Sequence, residues 1–195
     1  MSKIFCLETE WKQSIHDLKE KSNVLPLLDF LQTSCGVDYV FRNVATYSDF
    51  EYYINHLYYE SYNSFDIIYL CFHGSSARIE LANNEFINLL EFAEKNKGIF
   101  KGKNVHFGSC STLNMDEESI KYFKKETGAR MITGYKTSVD FVTSFVFELW
   151  LLNEILKYPD YAKIRTLKLA DEQMSYFVNS FKFVAYLYKD NGRKQ

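Results

Sequence analysis

Six short apolar runs, each set apart from the next by an amphipathic stretch, constrain this chain more than any other feature of its sequence. The runs are "KIFCLE", "VDYVFRNV", "FDIIYLCF", "NVHFGS", "ARMITGY" and "FKFVAYLY". Apolar runs of this length read as buried strands, and strands alternating with helical patterns read as helices packed on a mainly parallel sheet. The expected architecture is α/β with three layers: a central, mostly parallel sheet of about six strands with helices on both faces. At 195 residues, residues 1–195 are read as a single domain with no repeat, linker or low-complexity segment.

The intervening stretches carry helix signals. Asn23 is placed to cap a helix through "VLPLLDFLQTSC", with Pro26 in its first turn and Gly36 at its end. Ser48 and Glu51 have capping-box spacing before "DFEYYINHLYYE". "ARIELANNEF" reads as a small hairpin with an Asn-Asn turn, followed by the helix "INLLEFAEKN" closed by Gly98. "MDEESIKYFKKETG" has acids first, bases last and a closing Gly128, in accord with the helix dipole. Helices are also expected near Val139 to Leu156 and Ala162 to Tyr176.

Composition narrows the function classes. Hydrophobic residues make up 47% and aromatics 17%, so the chain is globular and not disordered. Lys and Arg number 23 against 25 Asp and Glu, a net charge of -2 without a basic stripe, so nucleic acid is not an expected partner. "MSKIFCLETEW" lacks a signal-peptide apolar segment and no run reaches membrane-spanning length, so a cytoplasmic protein with no membrane partner is expected. Four scattered cysteines (Cys6, Cys35, Cys71, Cys110) form no CxxC pair, which favours reduced thiols over a disulfide framework.

Two of the apolar runs end unusually. "DIIYLCFHGS" stops on His73 and Gly74, and "NVHFGSCST" stops on Cys110. In an open parallel sheet, loops leaving the C-terminal strand ends share one edge, and ligand sites form there. If the third and fourth strands are neighbours, His73 and Cys110 face one crevice. Cysteine attacks as its thiolate, and an imidazole assists the proton transfer. An acyl intermediate then needs donors for its oxyanion, which the backbone amides of Gly74 and Cys110 can supply.

His-Gly after one strand and small-Cys-small after the next resemble the caspase-like (clan CD) cysteine peptidases, and the bacterial CHAT branch most of all. The resemblance extends to "GARMITGYKTSVDFVTSFVFELW" and covers Ile4 to Tyr188 in order of elements. It implies a caspase-like fold and a cysteine endopeptidase acting on a protein or peptide substrate. The base falls on His73, the nucleophile on Cys110, and the oxyanion donors on the Gly74 and Cys110 amides. Ser109 stands where many members have Ala, and "STLNM" replaces their Ser-Gly; both alter the wall of the first substrate pocket. The resemblance places that pocket at Glu10, Trp11 and Asp140, whose two acids imply a preference for a basic residue before the cleaved bond.

Other readings use the same residues. A catalytically inactive caspase-like domain would serve as a protein-interaction module through the groove or the Tyr-rich surface. Cys71, His73, His106 and Cys110 are four potential soft metal ligands, but their spacing matches no closed zinc motif, so neither metal nor other cofactor is expected. Any switch would have to come from a regulatory protein partner, a homo-oligomer or loop ordering.

Overall fold

A computed structural model describes residues 3–11, 22–157 and 172–187. Its main sheet has six strands in the order β2-β1-β3-β7-β8-β9. These are β1 (Ile4–Thr9), β2 (Tyr39–Val44), β3 (Ile67–Cys71), β7 (Asn104–Phe107), β8 (Met131–Tyr135) and β9 (Phe183–Leu187). The first five run parallel and β9 returns antiparallel to β8. The order reverses at β1, which has β2 on one side and β3 on the other; such a switch point opens a crevice at the strands' C-terminal ends.

Alternation along each strand divides the core in two. Phe5, Leu7, Ile68, Leu70, Val105 and Phe107 face one layer, which includes α2 (Tyr47–Ile54), α3 (Leu89–Lys95) and α4 (Glu117–Thr127). Ile4, Cys6, Tyr69, Cys71, Met131 and Tyr135 face the other, formed by α1 (Leu25–Cys35), α5 (Phe141–Lys157) and α6 (Ser175–Ser180). The three-layer α/β arrangement read from the sequence is thus the one observed. Among the described residues no helix is long and apolar enough to cross a membrane.

The helix ends refine the sequence reading. Gly36 and Gly128 close α1 and α4 in left-handed conformations, and Asp116 caps α4 through the Ser119 amide. The capping box of α2 is Thr46 with Asp49, not Ser48 with Glu51, because Thr46 holds the extended conformation a cap requires while Ser48 is already helical. Asn23 does not cap α1 either. Its own amide and that of Val24 donate to Oε1 of Glu8, at 2.9 and 3.1 Å, so the helix start is held by a carboxylate from the end of β1.

"ARIELANNEF" forms the expected hairpin, β5 (Arg78–Glu80) with β6 (Phe86–Asn88), and β4 (His73–Ser75) pairs with β5 to extend it into a three-stranded antiparallel sheet. Ala82–Asn84 form a single 3-10 turn, with Asn84 left-handed, between β5 and β6. The expected helix from Ala162 to Tyr176 lies largely outside the described residues; α6 begins at Ser175.

Candidate active site

The histidine that ends the third apolar run is the first residue of a different sheet. The chain leaves β3 at Cys71, passes the buried Phe72 and enters β4 at His73, which projects at the edge of the main sheet. β3 and β7 are hydrogen-bonded neighbours, so the loops after them, carrying His73 and Cys110, are adjacent.

Buried Ser109 fastens these loops together. Its hydroxyl donates to the Leu70 carbonyl and accepts from the Phe72 amide, each at 3.3 Å. Gly74 closes the remaining gap: a Cβ there would stand 2.7 Å from the Cys110 carbonyl and 2.2 Å from Thr112 Oγ1. Only glycine lets the two backbones approach this closely. Ser111, immediately after the cysteine, adopts φ +55° and is tied to the Thr137 carbonyl through its amide at 3.0 Å.

His73 is oriented by a backbone oxygen. Its Nε2 lies 2.9 Å from the carbonyl of Trp11, in the loop after β1. A carbonyl only accepts, so Nε2 carries the hydrogen and the neutral ring keeps its lone pair on Nδ1. Trp11 meets the imidazole edge-on, with ring centroids 4.9 Å apart, and its indole N–H donates to Glu8 at 2.7 Å. Glu8 is completely buried and also accepts from the Ser22 hydroxyl. One carboxylate therefore fixes both the start of α1 and the loop that aims the histidine.

Cys110 is half-buried, and its sulfur accepts from the Val139 amide at 3.4 Å. It shares a pocket of about 210 Å³ with His73. Trp11, Val24, Phe72, Val139 and Phe141 give this pocket apolar walls, and Gly108, Ser144 and Glu148 also line it. Gly108 leaves space where a Cβ would meet Tyr69 at 2.9 Å and Glu148 Oε1 at 3.1 Å.

Glu148 projects from α5 onto the sheet and accepts from the phenols of Tyr69 and Tyr135, the latter at 2.9 Å. Burial, reinforced by the Glu148 carboxylate, pushes both phenols well above their ordinary range, so each remains a donor. His106 completes the cluster, with Nδ1 2.9 Å from Thr133 Oγ1 and Nε2 3.5 Å from Glu148. Burial likewise raises the thiols of Cys6 and Cys71, which keeps them protonated and inert. Among the described residues no three His, Cys, Asp or Glu side chains gather around a site for a metal ion.

The structure brings together His73, Gly74, Cys110 and Trp11. It does not bring Glu10 or Asp140 to the pocket lining. Exposed Asp140 caps α5, accepting from the Thr143 amide at 2.9 Å and its hydroxyl at 2.7 Å, and these bonds lower its pKa. The acid in the pocket is Glu148, which the sequence reading missed. Its signal was a lone carboxylate inside the apolar helix "FVFELW", where an acid facing the core needs a reason.

Fold and site together define a class: an α/β protein with a cysteine and a histidine on adjacent loops at the C-terminal edge of its sheet. Within that class, the chain belongs to DUF6642, a family of unknown function whose model matches residues 1–164. No curated protein matches it. Among solved structures it is similar to the crystal structure of caspase-1 from Spodoptera frugiperda, with a TM-score of 0.44 and 12% identity over 69% of this chain. The match covers 58% of the caspase chain.

Proposed function

We propose that this protein is a cysteine endopeptidase of the caspase-like type, nearest in kind to CHAT domains, that cleaves after a basic residue through Cys110 and His73. The observation that carries the reading is the pocket shared by the two residues, with His73 held by Trp11 in the tautomer that leaves Nδ1 as a base.

In this reading Nδ1 takes the thiol proton and Sγ bonds to the scissile carbonyl carbon. The Gly74 and Cys110 amides receive the oxyanion. As the carbon–nitrogen bond breaks, the imidazolium returns its proton to the leaving amine. Water then loses a proton to Nδ1, its oxygen bonds to the acyl carbon, and the thiolate departs. The apolar pocket walls suit the aliphatic stem of Lys or Arg, and Glu148 suits its charged end.

Replacing Cys110 with Ala should abolish both peptide turnover and labelling by an electrophilic peptide probe. An unchanged rate in that variant would rule out the mechanism. A peptide library should show cleavage after Arg or Lys; cleavage after Asp alone would overturn the assignment of the pocket.

A further inference from the structure

The small sheet of β4, β5 and β6 buries Ile79 and Ile87 on one face and turns the other outward. Directly opposed residues share a face, so His73, Glu80 and Phe86 form one row across the outer side, and Ser75 and Arg78 stand together in the next. Over this side lies a second cavity of about 310 Å³. His73 is the wall it shares with the pocket that holds Cys110.

Acyl transfer dictates what belongs on this side. The proton that leaves the thiol ends on the departing nitrogen and is delivered by the imidazole, so the departing segment must lie against His73 as its bond to the acyl carbon breaks. Arg78 and Glu80 are arranged to receive such a segment. The Arg78 guanidinium lies over the Phe86 ring, 4.3 Å from its centroid, which orients the donor fork. Among the described residues it makes no ion pair with either neighbouring acid. Glu80 follows two residues later on the same face, roughly 7 Å along the strand. A donor and an acceptor at that interval match the amide and carbonyl pattern of an extended peptide, whose own repeat is two residues, without reading its side chains.

We propose that the outer face of this small sheet is the leaving-group subsite, which binds the residues downstream of the cleaved bond by their backbone, Arg78 donating to a carbonyl and Glu80 accepting from an amide. This rests on the peptidase reading and sharpens its substrate class: a polypeptide that continues past the scissile bond, not a small terminal amide.

Two reporters with one acyl half ending in Arg test it, one with an aminocoumarin leaving group and the other an internally quenched peptide with three downstream residues. In the wild type, kcat/KM for the quenched peptide should exceed that for the coumarin reporter by about tenfold. That ratio should collapse toward one in Arg78→Ala and fall less in Arg78→Lys, which keeps the charge but loses the fork. A wild-type ratio near one, or the same ratio in Arg78→Ala as in the wild type, would overturn the subsite and leave the Cys110 chemistry standing. If the wild type turns over neither reporter and Cys110 resists the electrophilic probe, the peptidase reading falls, and the subsite with it.

Discussion

Gly74 is where the two halves of the candidate site touch, and the clearance there is too small for a methyl group. In Gly74→Ala the new Cβ would meet the Cys110 carbonyl as well as Thr112 Oγ1, so the backbones must separate. Overpacking of this kind costs about 1–3 kcal/mol, read as a lowered denaturant midpoint. Adding Thr112→Ala should recover only part of it, because the backbone contact remains. Glu148 gives the other residue-level prediction. Glu148→Gln keeps the shape and removes the charge, so preference for Arg or Lys before the cleaved bond should fall by about 10- to 100-fold, measured as a ratio of kcat/KM values against a neutral residue. His73, Gly74 and Cys110 were legible in the sequence because each breaks a local rule at a strand end. Glu148 was not, because its meaning depends on α5 crossing the sheet above Tyr69 and Tyr135, a long-range contact that no local pattern encodes.

At the level of elements, helix termini were legible where a single residue decides them and illegible where the partner is distant. Gly36, Gly128 and the acidic start of α4 follow from local sequence. The anchor of the α1 terminus does not, since Glu8 is an element away. α4 also carries a testable liability. Lys124 is buried, and desolvation lowers its pKa from 10.5 to about 8. Below pH 8 the lysine is charged in both states, and the folded state bears the full burial penalty. Between pH 8 and 10.5 the folded state sheds its proton first, so this penalty fades as pH rises. Relative to the native protein, Lys124→Met should therefore be more stable at pH 7 than it is above pH 10.5, by about 1–3 kcal/mol. Urea titrations of both proteins across that range would show it; a gain independent of pH would contradict the desolvation account.

For the molecule as a whole, the six-stranded sheet was legible because its inner strands β1, β3, β7 and β8 are buried on both faces, which alternating helices can cover. The strand order was legible only in part. Adjacency of β3 and β7 followed from their succession, whereas the insertion of β1 between β2 and β3 required the structure. That insertion brings Trp11 beside His73, and Glu8 holds Trp11 there while also anchoring α1. One side chain thus serves as both fastener and aiming device, which makes the orientation of the histidine a reporter on the packing of the layer that contains α1. On heating, loosening of the α1 terminus should misalign the imidazole while the sheet persists, so turnover of a peptide substrate should fade several degrees before far-UV ellipticity is lost. In Glu8→Gln that interval should widen; coincident curves in both proteins would show that the two ends of this linkage are independent.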